Sequence, residues 1–371
     1  MGWEILWPLI LGFGISAAIQ AVVSHRQINL LLPNDKAKSI AVASGLGAAS
    51  SSCSYAAVAI ARTIFRRGAD FTAAMVFEIA STNLVIEVGI IVTVLLGWRF
   101  TAAEFIGGPL MIIVLVILFR LLLTPRLVDI ARRHANQGLS GRMEGHAAMD
   151  DMAVRGRQSL WRKLVSSQGQ TATSHFFVMD WASVWADVLG GLLIAGALAA
   201  WVPKTWWQAL FLTHHHFWSL MLGPLIGPVI AVLSFVCSVG NVPLAAVLWN
   251  GGIAFGGVVS FIFADLIIIP ILRIYYRYYG LKMAGFIFVT FYAAMATAGY
   301  LVEAIFAVLH ITPTTRNASV LAYHISFNYD TVLNIVFLLL TGGLLLRFFK
   351  TGGLMMLKMM NKPNEEHIHA G

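Results

Sequence analysis

Apolar residues in this chain come in runs of about 20, the length a helix needs to cross a hydrocarbon core, with polar residues gathered between the runs. Trp3 to Val23 is the first run, with Trp3 and Trp7 placed as interface anchors. A polar loop carrying Arg26, Lys36 and Lys38 follows. Phe71 to Trp98 and Phe105 to Leu123 read as full spans. Phe176 to Trp201, Ala254 to Leu272, Phe286 to Leu309 and Val320 to Leu346 are the later ones. Two stretches do not fit that pattern. Ser39 to Phe65 divides at Ser50 to Ser54 into pieces too short to cross alone. Phe217 to Trp249 is interrupted by Gly223-Pro224, Gly227-Pro228, Cys237 to Gly240 and Pro243, although Phe217 to Val236 is long enough to span. Both predict broken or re-entrant hairpins. Irregular backbone at membrane depth is tolerated only where protein or a water-filled cavity covers it.

The two interrupted stretches are related to each other. With Cys53 laid on Cys237, Ser54 falls on Ser238, Gly68 on Gly252, Phe71 on Phe255, Phe77 on Phe261 and Ala80 on Ala264, all without a gap. An internal repeat outranks local propensity when a fold is inferred. Basic residues then set the orientation. If Ser39 to Phe65 enters and returns, one face holds Arg26, Lys36, Lys38, Arg62, Arg66, Arg67, the Arg-rich segment Arg126 to Gln170, Arg273, Arg277, Lys282 and the basic tail. That arrangement satisfies the cytoplasmic bias of Lys and Arg. The second hairpin then enters from the outside, and the two repeats have opposite orientation. The expected fold is an all-α polytopic membrane protein of two inverted-topology repeats, with about seven full spans, two re-entrant or broken hairpins and the amino terminus outside. The expected units are a first membrane repeat (1–124), a basic cytoplasmic connector (125–175), a second repeat with the last span (176–346) and a cytoplasmic tail (347–371).

Composition agrees with residence in lipid. Of 371 residues 58% are hydrophobic and 11% charged, where a water-soluble domain carries roughly 25% charged residues. The formal charge of +8 needs no nucleic acid, because the basic residues sit in a few hydrophilic loops. Two cysteines far apart in apolar surroundings give no disulfide framework. Met1 leads directly into an apolar run with no convincing cleavage site, so a retained span is expected, not a signal peptide. No GxxxxGK[ST] phosphate loop and no GxSxG elbow occurs, so neither ATP-driven transport nor hydrolysis is expected, and the chain reads as no enzyme. No cofactor is expected. No resident metal is expected either: His214, His215 and His216 are adjacent and point to different sides of a helix, and His367 with His369 lies in the tail.

The hairpin tips hold the candidate chemistry. Under the pseudo-symmetry Ser51, Ser52, Cys53 and Ser54 meet Ser234, Cys237, Ser238 and Asn241. Interrupted helices offer free N–H or C=O groups to a substrate without a side-chain charge. Two thiols near one midplane suit a soft metal or metalloid, although cysteine and serine are also ordinary small residues for close packing in lipid. Substrate contacts are therefore expected from Cys53, Ser52, Ser54, Cys237, Ser238 and Asn241. Ionisable residues at membrane depth default to functional hypotheses, and a buried carboxyl that holds its proton can couple transport to protons. Glu87, Asp265 and Glu78 are the proton-coupling candidates, with Asn83 as polar support. Asn83 and Glu87 are four apart and share a helix face on this reading. Asp180, Glu303 and Asp330 read as structural.

The motifs SCSYAAVAIARTIFRRGADFTAAMVFEIASTN and VCSVGNVPLAAVLWNGGIAFGGVVSFIFADLIIIP carry a family resemblance. The chain resembles the bacterial predicted-permease family that includes the ArsP-type exporters of trivalent methylated arsenicals. Cys53, Arg67-Gly68 and Asn83 match its pattern in the first half, and Cys237, Pro243, Gly252 and Pro270 in the second. Tyr55 to Val58 lacks the family's proline, and Asn83 is followed by Leu84 where the family has proline. The resemblance implies a secondary transporter of the bacterial cytoplasmic (inner) membrane. Its partners would be the lipid bilayer and a small soft-metal, metalloid or thiol-reactive solute bound for efflux. A channel-like pore and a membrane subunit of a larger complex are the alternatives, and a homo-oligomer is left open.

Overall fold

The computed structural model describes residues 2–22, 32–50, 54–66, 68–136, 160–203, 205–206, 211, 216–234, 238–316, 318 and 329–354. Among these residues every regular element is helical. The first half contains α1 (Gly2–Val22), α2 (Ala37–Ser50), α3 (Ser54–Arg66), α4 (Phe71–Asn83), α5 (Ile86–Leu95) and α6 (Trp98–Leu122). Two short helices follow, α7 (Pro125–Ala135) and α8 (Leu160–Val165). The second half contains α9 (Ser167–Trp201), α10 (His216–Ser234), α11 (Ser238–Gly251), α12 (Phe255–Ile262), a 3₁₀ turn at Phe263–Ile267, α13 (Ile269–Tyr279), α14 (Leu281–Val308) and α15 (Tyr329–Lys350). Among the described residues five helices are long and apolar enough to cross a membrane: Phe71–Leu95, Trp98–Leu122, Phe217–Ser234, Leu281–Val308 and Thr331–Lys350. A sixth is α12 with its 3₁₀ continuation and α13, if that pair, bent by 42°, is one span.

Three of the expected elements differ in detail. Phe71 to Trp98 is not one continuous helix, because α4 ends at Asn83 and Val85 is extended before α5 begins. Polar side chains gather at the break. Ser81 Oγ donates to Glu78 O at 2.8 Å, Thr82 Oγ1 to Ile79 O at 3.2 Å and Asn83 Nδ2 to Thr82 Oγ1 at 2.9 Å, competing with the helical ladder. The run from Ala254 is likewise interrupted, by the 3₁₀ turn and extended Ile268. Pro270, in the first turn of α13, has no N–H to continue a ladder. The hydrophilic segment Arg126 to Gln170 is partly helical, through α7, α8 and the start of α9, while 137–159 lie outside the described residues.

Local contacts fix the chain direction. The N–H of Asp70 donates to Leu32 O at 3.0 Å, so the approaches to α2 and α4 start together. Further along, Gly47 lies so close to α4 that a Cβ there would stand 2.4 Å from Phe77 O. Hence α2 and α4 run side by side in the same direction, and α3 returns against α4. The second half repeats this arrangement. A Cβ at Gly223 would meet Ala254, and one at Gly227 would stand 2.4 Å from Gly257 O, so α10 runs alongside α12 and α11 returns. The yardstick between the halves is α6, about 37 Å long at 1.5 Å per residue. Phe119 near its end stacks on Phe71 at 6.0 Å, and Phe100 near its start packs on Phe255 at 5.0 Å. Thus α4 and α12 begin at opposite ends of α6.

The same fastening recurs at those two ends. Each hairpin leads into a turn with a left-handed glycine, Gly68 (φ 107°) and Gly252 (φ 110°), a conformation that favours glycine. At the first turn Arg132 of α7 donates to Phe65 O at 2.9 Å and Ala69 O at 3.2 Å, with its guanidinium 4.2 Å over the Phe65 ring. At the second, Arg316 donates to Trp249 O at 2.7 Å and Ile253 O at 2.9 Å, with its guanidinium 4.3 Å over the Trp249 ring. Phe65 and Trp249, Gly68 and Gly252, Ala69 and Ile253, and Arg132 and Arg316 are all equally far apart in the chain. Around this frame α4 and α12 are buried along their whole length. In contrast α15 exposes Val332, Ile335, Leu339 and Leu346, as a lipid-facing helix does. Where Pro224 and Pro228 interrupt the ladder of α10, Tyr300 Oη donates to Met221 O and Tyr292 Oη to Leu225 O, supplying donors that water cannot bring.

Arg132→Ala and Arg316→Ala are each expected to lower stability by about 1.5–3 kcal/mol, the worth of hydrogen bonds to a charged donor. The effects should add, because the sites lie at opposite ends of α6. Unfolding in detergent measures both. Lysine at either position should recover less than half of the loss, since it lacks the fork and the stacking plane.

Candidate transport site

The helix breaks converge on Asp265, in the 3₁₀ turn and fully buried. Ser54 Oγ, at the first position of α3, donates to Asp265 Oδ2 at 2.6 Å. Asn83 Nδ2, at the last position of α4, reaches Asp265 Oδ1 at 3.3 Å. Three separate interruptions of the first and second halves therefore share one carboxyl group. Each of the three residues is at most 1% exposed. A second buried pair lies beside it: Tyr275 Oη of α13 donates to Glu78 Oε1 of α4. Glu104 of α6 is buried one turn before Gly107, where a Cβ would stand 2.9 Å from Phe263 in the same 3₁₀ turn as Asp265.

The candidates from the sequence fall into distinct groups. Ser54, Asn83 and Asp265 are brought into contact. Glu78 is fully buried and bonded to Tyr275. Ser238, at the first position of α11, is buried at 5% exposure, and Asn241 one turn later is completely buried, with both its amide Oδ1 and Nδ2 lacking a hydrogen bond among the described residues. Glu87 is buried elsewhere, facing α1: a Cβ on Gly12 would stand 2.1 Å from Glu87 Cβ. Its expected common face with Asn83 is not formed, because the helix breaks between them at Leu84 and Val85. Ser51, Ser52, Cys53 and Cys237 lie outside the described residues, as do His214, His215, His367 and His369.

The acids read as structural sort as follows. Glu303 accepts from the N–H of Gly256 at the start of α12, where a carboxylate suits the free N–H groups of a helix. Asp180 accepts from Gln20 Nε2 at 3.0 Å and so joins α9 to α1. The side chain of Asp330 lies outside the described residues. Among the described residues no group of three His, Cys, Asp or Glu side chains is arranged to hold a metal ion.

Several residues escaped the sequence reading. Glu104 is 1% exposed on α6, and its Oε1 has no hydrogen bond among the described residues. The span drawn from Phe105 left it just outside, whereas the helix begins at Trp98. Tyr275 pairs with a residue 197 positions away, which no local pattern reveals. Arg62, grouped by charge with the basic residues of one face, is 1% exposed. Its Nε and Nη2 donate to Ala135 O at 3.2 and 2.9 Å, and its guanidinium lies 4.2 Å over the Tyr278 ring.

An all-helical chain with several apolar spans, whose broken helices meet at buried polar side chains, is a multi-pass membrane protein. Comparison with known proteins names the group within that class. The predicted-permease family model matches residues 1–304, and the chain belongs to this family. It is also 57% identical over 349 residues, 94% of its length and 86% of the relative's, to a Mycobacterium tuberculosis protein named "Putative permease Rv2963". No solved structure matches the chain.

Ser54→Ala removes the shortest contact to Asp265 and leaves Oδ2 buried without that donor. The expected cost is about 1–3 kcal/mol of stability, the penalty for an unsatisfied buried polar group, read by thermal unfolding in detergent. Ser54→Thr, which keeps the hydroxyl, should lose clearly less.

Proposed function

We propose that this permease is a secondary transporter of the bacterial inner membrane that exports a small soft-metal, metalloid or thiol-reactive solute by alternating access. Its two halves are inverted repeats, with seven crossings, two re-entrant hairpins (α2 with α3, α10 with α11) and the amino terminus outside. The observation that carries this reading is the meeting of Ser54, Asn83 and Asp265. It joins a hairpin tip of one half to the helix break of the other, where carriers of this design bind their cargo. The opposed starts of α4 and α12 along α6 support the inversion, as do the matching Arg132 and Arg316 clamps. The charge pattern supports the orientation. Arg62, Arg66, Arg120, Arg126, Arg132, Arg273, Arg277, Lys282 and Arg347 gather toward the end where α4 begins, and that end is the cytoplasmic one.

In this account Cys53 and Cys237, next in sequence to Ser54 and Ser238, supply soft thiolate contacts to the cargo. Ser52, Ser54, Ser238 and Asn241 are their polar partners, and the unsatisfied amide of Asn241 offers one donor and one acceptor to it. Asp265 and Glu78 carry the coupling protons, with Asn83 orienting Asp265. Glu87 remains a third candidate, on the α1 side. The connector 125–175 and the tail 347–371 lie in the cytoplasm.

Export of methylarsenite from everted vesicles tests the cargo class. Cys53→Ser and Cys237→Ser should each reduce it about tenfold or more, corresponding to ~1.4 kcal/mol or more of lost binding. Unchanged export in either variant removes thiol ligation from the mechanism. Flux that saturates and exchanges is expected, whereas an ohmic current would assign the chain to pores.

A further inference from the structure

We infer that Glu104 is a proton-carrying residue of the transport cycle, forming with Asp265 and Glu78 one chain of buried carboxyls whose far end is the Tyr275 and Tyr279 hydroxyls. The inference rests on the transporter reading above and adds to it a residue and a route. Its starting point is a cost. Glu78, Glu104 and Asp265 are each at most 1% exposed, and among the described residues none forms an ion pair with a Lys or Arg. A charge buried without a partner costs several kcal/mol, and apolar side chains would pack in its place. One such acid is a packing accident that a neighbouring hydroxyl can absorb; three that feel one another are a functional group.

Their hydrogen-bonding capacity is used to different degrees. Asp265 uses both oxygens, on Ser54 and Asn83. Glu78 uses Oε1 on Tyr275 and leaves Oε2 without a hydrogen bond among the described residues, and Glu104 Oε1 and the Tyr279 hydroxyl are in the same condition. Glu104 lies toward the end of α6 at which α12 begins, beside Phe105, whose ring faces Gly89. Tyr279 lies at the other end, next to Gly280 and His134. Asp265 stands between: Asn83, five residues on from Glu78 in α4, reaches its Oδ1, and a Cβ on Gly107, three residues on from Glu104 in α6, would stand 2.9 Å from Phe263 in the same 3₁₀ turn. Tyr275, bonded to Glu78, stacks on Tyr279 with ring centroids 6.3 Å apart. The order from one face to the other is Glu104, Asp265, Glu78, Tyr275 and Tyr279. Each transfer along it breaks one O–H bond and forms another, with no other reactant. Other charged groups on the surrounding helices are already engaged: Arg62 of α3 on Ala135 O and near Tyr279, Glu303 of α14 on Gly256, and Glu87 of α5 against α1.

Two measurements on the full-length protein test this, one of which needs no cargo. In lipid nanodiscs, the infrared carboxyl band is titrated for the wild type and for Glu78→Gln, Glu104→Gln and Asp265→Asn. Strong interaction predicts that Asp265→Asn moves the titration of the Glu104 component by about one pH unit or more. A Glu104 component that titrates identically with and without Asp265 overturns the chain. In liposomes holding a pH indicator, methylarsenite-driven proton movement should fall about tenfold in Glu104→Gln while methylarsenite exchange persists, and Glu104→Asp should recover part of it. Proton movement equal to wild type in Glu104→Gln overturns its role, and so does a sodium requirement replacing the proton. If the acids couple but no methylarsenite moves, the proton chain stands and the cargo assignment falls.

Discussion

Asp265 accepts hydrogen bonds from Ser54 and Asn83, residues that end two different helices of the other half of the protein. The surrounding fold follows from the need to make those bonds away from water. A helix that stops inside a membrane leaves unpaired N–H and C=O groups, and each costs several kcal/mol unless protein supplies a partner. Bringing three helix interruptions to one place lets each supply polar groups to the others. The helices that carry them must then be buried on every side, and α4 and α12 are. Small residues make that approach feasible: Gly47 against α4 and Gly227 against α12 leave no room for a Cβ.

The ends of the same helices are held by a different device. Arg132 and Arg316 each bind two backbone carbonyls at the turn after a hairpin and stack on the aromatic residue preceding that turn. The scaffolding differs, since Arg132 belongs to a helix and Arg316 to the irregular segment after α14. The bonds are nevertheless the same. A planar guanidinium is suited to this because it donates in a fork and stacks at the same time. Each half thus has an arginine-held turn at its outer end and contributes to the polar junction at Asp265.

Much of this was legible in the sequence, for physical reasons that differ by region. Hydropathy locates the helices because lipid demands about 20 apolar residues per crossing, and the break at Ser50 to Ser54 is visible because its flanks are too short. The correspondence of Cys53 with Cys237 and of Gly68 with Gly252 is visible in the sequence, and Arg132 and Arg316, whose sequence surroundings share nothing, make the same bonds at the same spacing. What failed was the reading of continuity. Ser81, Thr82 and Asn83 looked like small polar residues inside a span, yet α4 ends on them. That break separates Asn83 from Glu87. It also turns Asn83 toward Asp265, a pairing across 182 positions that only tertiary structure creates. Glu104 was lost to a span boundary drawn a few residues late, and the burial of Arg62 depends on Ala135 and Tyr278, far from it in the chain.

The direction of the two hairpins decides whether a transporter of this kind exists at all. Single-cysteine proteins, with Cys53 and Cys237 replaced by serine, can be labelled with a membrane-impermeant maleimide in right-side-out and inverted vesicles. Cysteines at Lys36 and Arg66 should react only from the cytoplasmic face, and one at Thr314, in the segment that carries Arg316, only from the opposite face. Lys36 and Arg66 reacting from different faces would mean that α2 and α3 cross the membrane in full, and the paired re-entrant architecture would be wrong.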